Sequence, residues 1–342
     1  MSLNFFTITN FLLSLKWLIG LFVLLLFSAY FLVFFFALPV SAVSSQAAPA
    51  ADKDLMEGGL QKELVVTDYA NRLVILDNPA KRIISLAPHI TENIFSAGAG
   101  HLIVGAVDFS DYPEAAKIIP RVGNIQGFSA ETIVALKPDL IIAWGTGHSA
   151  SIIQKLIDLG LTVYIDEPKI LEDVAKSIQD IATMTGKKKL TAKSIEAYLQ
   201  KLDVLKQRYS GREKISVLYQ VWDKPLRTIS GDHIISDVIG LCGGQNSFAD
   251  AAVIAPKISI ESVLARNPSA IIASGMGSER SERSDWLDNW SKWRSLRAVN
   301  DKNLFFIPPD LLQRHTVRIL QGAEILCDQL ETVRNKYKPL KN

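Results

Sequence analysis

The chain has 342 residues, with 37 basic against 35 acidic side chains and a formal charge of +2. So even a balance gives no reason to expect nucleic acid or any other polyanion as a partner. Past its N-terminal segment, the length suits two domains of ordinary size.

Residues 1–42 read as a targeting segment. Lys16 is its only charge, residues 17–37 are almost wholly apolar, and Pro39-Val-Ser-Ala42 offers the small residues a signal peptidase reads. The run is also long enough to span a bilayer, so an uncleaved anchor is the alternative. Either reading puts the rest outside the cytoplasm, and no Cys near the cleavage region supports a lipid anchor. Residues 43–60 are small and polar, a flexible tether. Residues 63–77 alternate in polarity and predict a hairpin on the first lobe.

The first lobe spans residues 61–186. A buried strand at Arg82-Ile-Ile-Ser-Leu-Ala leads into Pro88, His89 and a helix ending at Gly98. A strand over 102–107 follows, then the turn Ser110-Asp-Tyr-Pro113, a helix from Ser129, and a strand over 139–143 that runs into Trp144. A further helix over 151–159 and a strand over 162–165 complete it. Strands alternating with helices predict a mainly parallel sheet, with binding groups at the strand C-terminal ends.

Residues 190–209 carry Ile195, Tyr198, Leu202, Leu205 and Tyr209 at spacings of three and four, with lysines and acids between them. That pattern is one long amphipathic helix, stopped at Ser210-Gly211. With its flanks it forms a bridge over 187–210. The second lobe, 211–342, repeats the plan of the first, with strands at 214–219, 270–273 and 304–307. These lead into Trp222, into Ser274-Gly-Met-Gly277 and into Pro308-Pro-Asp310.

Two segments match without a gap. Ser129-Ala-Glu131 to Pro138 and on to Ile-Ile-Ala143 reappears as Ser259-Ile-Glu261 to Pro268 and Ile-Ile-Ala273. Each reads as a Ser-capped helix with Glu in its first turn, then a Pro break and a buried strand. A looser echo links His89 before Gly98 with His233 before Gly243. The fold class expected is therefore α/β: two related lobes joined by one long backbone helix.

The cysteines, Cys242 and Cys327, both lie in the second lobe. In an exported chain a lone pair favours oxidation; two buried free thiols are the alternative. Searches for a P-loop, Gly-x-Ser-x-Gly, His-Glu-x-x-His and Cys-x-x-Cys find none. His89 and His148 could approach one cleft, though capping or surface roles suit isolated histidines as well.

Arg82-Ile-Ile-Ser-Leu-Ala-Pro88, Ser110-Asp-Tyr-Pro113, Ile133 to Asp139 with Trp144, Leu241-Cys-Gly-Gly244 and Val263 to Pro268 resemble the periplasmic vitamin B12 (cobalamin)-binding proteins of ABC importers. These belong to the helical-backbone metal-chelate receptors, a class that also carries haem and ferric siderophores. The resemblance covers about residues 80–330. It implies two lobes on a rigid helix, a Cys242–Cys327 disulfide, and cobalamin as transported ligand rather than catalytic cofactor. It further implies a monomer, not an enzyme, whose partners are a corrinoid and the membrane subunits of an ABC permease. Ligand contacts would come from Pro88, His89, Tyr112, Ile125, Trp144, Trp222, Asp310 and Arg314. Glu131 and Glu261 would dock onto the permease, one from each lobe. The chain departs from the family pattern at Ile125 and Ala255, where aromatics are expected; Trp222 and Phe128 are the candidate replacements. Haem or a ferric siderophore is the alternative ligand. A Zn or Mn carrier or an exported enzyme follows behind.

Overall fold

The computed structural model describes residues 63–124, 127–275 and 285–337; the apolar N-terminal segment, the tether and Ile125 lie outside them. The described part opens with an antiparallel hairpin, β1 (Leu64–Thr67) and β2 (Leu73–Leu76), in which Val66, Val74 and Leu76 face the first lobe. β3 (Ile83–Ser85) leads into α1 (Pro88–Ser96), then β4 (Ile103–Ala106) and a two-strand ribbon, β5 (Gly123–Asn124) with β6 (Gly127–Phe128). Helix α2 (Ala130–Ala135), β7 (Leu140–Trp144), α3 (Ala150–Asp158), β8 (Val163–Asp166) and α4 (Leu171–Met184) complete the lobe.

The bridge is α5 (Lys188–Tyr209), 22 residues, about 33 Å at 1.5 Å per residue. The second lobe follows with β9 (Ile215–Gln220), α6 (Ile234–Leu241), β10 (Gly244–Asn246), α7 (Ile260–Arg266) and β11 (Ala270–Ala273). Short α8 (Arg297–Asn300), β12 (Leu304–Phe306), α9 (Pro309–Leu312) and the long α10 (Ile319–Tyr337) close it. The expected elements are all present, with ends displaced by a few residues at most.

Each lobe holds a four-stranded, wholly parallel sheet, ordered β4-β3-β7-β8 in the first and β10-β9-β11-β12 in the second. Numbered within its own lobe, each order is second, first, third, fourth. The matched sequence segments occupy the same place in both: α2 leads to the third strand β7, and α7 to the third strand β11. Ser129 and Ser259 cap those helices, accepting from Thr132 N–H and Ser262 N–H.

Both faces of each sheet are buried. One apolar cluster lies on the outer face of the first lobe (Ile84, Ile133, Ile141, Leu156) and another on that of the second (Leu218, Val263, Ile271, Trp290). The third is continuous through both lobes, because α5 runs between them. Tyr198, Leu202, Leu205 and Tyr209 are buried in it, each burial contributing about 1.5–3 kcal/mol. Lys206 pairs with Glu172 of the first lobe, and Lys201 lies 3.0 Å from Glu324 of the second. Those exposed pairs contribute little beside the apolar stripe.

Cys242, which ends α6, is bonded to Cys327 of α10, 85 residues on. The alternative of two free thiols is thereby excluded. Gly243 follows at φ +69°, a conformation that disfavours a side chain, and an added Cβ would meet Arg334 Nη2 at 2.7 Å. That nitrogen donates to Cys242 O, so disulfide and arginine fasten the same turn.

A row of imidazoles crosses between the lobes. The His89 ring lies 5.1 Å from that of His315, and His315 lies 5.4 Å from His233. Trp144 meets His89 edge-on at 5.2 Å, and Asn93 Nδ2 of the first lobe donates to His315 O of the second. His89 Nε2 faces Asp166 Oδ2 at 3.6 Å, and neither atom is hydrogen-bonded. Burial, with the His148 and Arg314 charges behind it, pushes the His89 imidazole down to about 3; burial pushes the Asp166 carboxyl up to about 7. Around pH 5 the folded pair thus carries its proton on the carboxyl, and the unfolded pair carries one on the imidazole. The pair is nearly silent in that range.

His315 and His233 are not silent. Burial lowers His233 to about 4 and His315 well below 6.5, with His89 and His233 adding to the second effect. Below pH 6.5 the unfolded chain takes up protons that the folded chain refuses, so stability is full above that pH and lost as pH falls. The loss is about 1.4 kcal/mol per pH unit for each histidine. His315→Gln should flatten the fall between pH 6.5 and 5 by about that amount, read from urea midpoints; profiles parallel to the wild type would refute the assignment. Titration of the denatured, unreduced protein should find no thiol. Removing the bridge by Cys242→Ser with Cys327→Ser should cost up to about 4–5 kcal/mol, given the length of loop it closes.

Candidate functional site

The strand C-terminal ends of the two lobes meet. From the first come the N-terminal turns of α1, the loop after β4 and the end of β7; from the second come the loops after β9 and β12. Beside the histidine row, the contact between them is ionic. Glu92 of α1, 3% exposed, accepts through Oε1 from Arg314 Nη1 (2.8 Å) and Arg318 Nη2 (2.6 Å), and through Oε2 from Arg318 Nε (2.9 Å). Arg314 also donates from Nη2 to Asp111 Oδ1 and to Phe109 O, and its Nε lies 3.1 Å from Asp310 Oδ1. Arg318 lies over the Tyr112 ring at 3.9 Å, a cation–π contact that fixes the ring's inner face.

The expected ligand residues fall into three groups around this junction. Tyr112, Asp310 and Arg314 are brought together by the ion-pair lattice. Pro88, His89 and Trp144 lie beside it: Pro88 opens α1, and Trp144 is wedged against His89 and His315 with Nε1 3.4 Å from Glu167 Oε1. His89 is buried, so it supports the surface rather than forming it. Trp222 is held within the second lobe, its indole N–H donating to Lys224 O and its ring 6.0 Å from Trp286.

Tyr112 (47% exposed) and Trp222 (41%) therefore present open aromatic faces, one from each lobe, and Phe109 at 75% adds a third. Phe128 points elsewhere: its ring meets His148 edge-on inside the first lobe. His148 Nε2 is bonded to Leu86 O, which ties it to that lobe's own backbone. Among the described residues no three His, Cys, Asp or Glu side chains converge as metal ligands.

Sequence reasoning passed over Glu92, Asp111, Arg318 and His315. The run Arg314-His-Thr-Val-Arg318 was a signal for some of them, two arginines close together in the turn between α9 and α10. Asp310 stands four residues from Arg314, but Glu92 and Asp111 lie more than 200 residues away and gave no local sign.

Glu131 and Glu261 are exposed in the first turns of α2 and α7. Each carboxyl is lowered first by a hydrogen bond from its own backbone N–H and then by the capping serine, with Lys155 adding to the effect at Glu131. Both stay ionised, and they sit at matching places in the two repeats.

Residues 83–311 match the family described as periplasmic binding protein. The vitamin B12-binding protein of Vibrio campbellii (strain ATCC BAA-1116) is 35% identical over 261 residues, covering 76% of this chain and 93% of that protein. The crystal structure of the periplasmic vitamin B12 binding protein of Vibrio cholerae superposes with a TM-score of 0.69 at 36% identity, over 75% of this chain and 98% of the other. A periplasmic heme-binding protein from Roseiflexus sp. RS-1 shares the fold at 22% identity, with a TM-score of 0.64 over 74% and 99% of the two chains. With residues 83–311 matched and the 35% identity sustained over three quarters of its length, the chain belongs to the periplasmic binding protein family.

Proposed function

We propose that the protein is the solute-binding component of an ABC importer. It captures cobalamin or a related corrinoid between its lobes and passes it to the permease. The observation that carries this is an exposed aromatic in each lobe, Tyr112 and Trp222, at strand C-terminal ends. A large, flat, mostly apolar ligand needs such aromatic faces, with a few polar groups to orient it. Asp310 and Arg314 supply the polar edge; Pro88, His89 and Trp144 form the support beneath, and Ile125, outside the described residues, remains a proposed ligand contact. The identity to vitamin B12-binding relatives supports the corrinoid as ligand.

The act is binding, not turnover. We assign the first lobe to residues 61–186, the bridge to 187–210 and the second lobe to 211–342, with residues 1–42 directing export to the periplasm and 43–60 serving as tether. A single helix held in the core through both lobes restricts their relative motion to small angles. Release then requires the permease to act on both lobes at once, and the two equivalent carboxylates, Glu131 and Glu261, are the handles. The protein works as a monomer, one copy spanning two equivalent permease subunits.

Purified protein should take up cyanocobalamin one to one by calorimetry, and Tyr112→Ala or Trp222→Ala should each lose about 1–3 kcal/mol of binding. Haem uptake with no corrinoid uptake would overturn the ligand assignment. The Glu131→Ala, Glu261→Ala double variant should keep its melting temperature and corrinoid affinity, yet bind the importer roughly tenfold or more weakly. Undiminished docking and transport would remove the handle role.

A further inference from the structure

The ion-pair lattice at the junction leaves its two arginines occupied, which bears on ligand choice. Two guanidinium groups, Arg314 and Arg318, face three carboxylates, Glu92, Asp111 and Asp310. Every nitrogen of Arg314 already donates to or lies against an acceptor of the protein: Nε at Asp310, Nη1 at Glu92, Nη2 at Asp111 and Phe109 O. Arg318 is held side-on by both oxygens of Glu92, with Tyr112 across one face of its guanidinium plane. Arginine is the side chain suited to grip a ligand carboxylate bidentately. Here both arginines are already gripped from within.

We infer that Glu92 and Asp111 are specificity determinants: by occupying Arg314 and Arg318 they turn away macrocycles that bear free carboxylates and leave the groove to uncharged ones. This rests on the reading of the groove as a macrocycle site. Rejection follows in part from exposure: the side chains of Asp111 (28%) and Asp310 (37%) are more open than those of Arg314 (12%) and Arg318 (14%), so of this cluster the acids are the more open to a ligand carboxylate. It also follows from exchange: the ligand would have to displace Glu92 from two arginines, leaving a buried carboxylate unpaired. Neutral amide edges meet no such obstacle, because they can accept from the N–H groups that remain and donate to Asp310. Glu92 acts by holding the arginines, and Asp111 does the same from a partly exposed position on the loop after β4.

The test pairs cyanocobalamin with ferric protoporphyrin IX, whose two propionates are ionised at neutral pH. Asp111→Asn, on a surface loop, should raise protoporphyrin affinity roughly tenfold at low salt, with the gain shrinking as ionic strength rises. Glu92→Gln should raise it further, and lower cyanocobalamin affinity by less than it raises the other. Circular dichroism of each variant establishes that it is folded, and Asp111→Asn keeps the test alive if Glu92→Gln does not fold. No gain in a folded Asp111→Asn protein, or tight protoporphyrin binding by the wild type, would overturn the inference. Cyanocobalamin binding by the wild type is read separately. Its absence would count against the corrinoid, while a gain of protoporphyrin binding in the variant would still uphold the charge rule.

Discussion

The lobes are set against each other by a buried carboxylate. Glu92 sits on the first lobe, almost out of reach of water, and its cationic partners among the described residues, Arg314 and Arg318, sit on the second. A charge in that position is tolerable only when paired; stripping one partner from a buried pair costs about 3–5 kcal/mol. The lattice therefore fixes orientation more than it adds stability. It presents Tyr112 at one angle through Arg318, and it holds the loop after β4 against the turn before α10. The histidine row and the Asn93 contact to His315 O then fill the space behind it.

Much of this architecture was legible because it is written twice. Ser129, Glu131 and Pro138 recur as Ser259, Glu261 and Pro268, and each set proves to be the cap, first turn and break that precede the third strand of a sheet. The bridging helix was legible for another reason. Tyr198, Leu202, Leu205 and Tyr209 keep one face apolar while lysines cover the rest, a pattern that only a helix packed on one side satisfies. Local periodicity and internal repetition both survive in a linear reading.

The site was less legible, and the reason is the range of its contacts. Glu92 and Arg314 are 222 residues apart, and each looks like an ordinary surface charge on an amphipathic segment. His315 gave no sign that it would lie between His89 and His233, because three isolated histidines are spaced by chain length and not by any motif. Tyr112, Trp144 and Trp222 could be picked out as candidates because strand ends can be located from sequence, and strand ends are where binding groups collect. That rule gives the neighbourhood of a residue but not its orientation. It placed His89 among the contacts, although His89 turns out to be buried behind the surface.

The disulfide sets an order on assembly. Every element of the first lobe is complete by the end of α4 at Met184, with no covalent cross-link among its parts. The second lobe depends on a bond whose later half, Cys327, follows every strand of that lobe's sheet. A chain that emerges N-terminus first can fold its first lobe while the second is still arriving. It cannot lock the second until α10 is out. Arg334, which grips the carbonyl of Cys242, arrives later still. The second lobe is thus sealed last, and a chain stopped before α10 would keep one sound half and lose the clasp on the other.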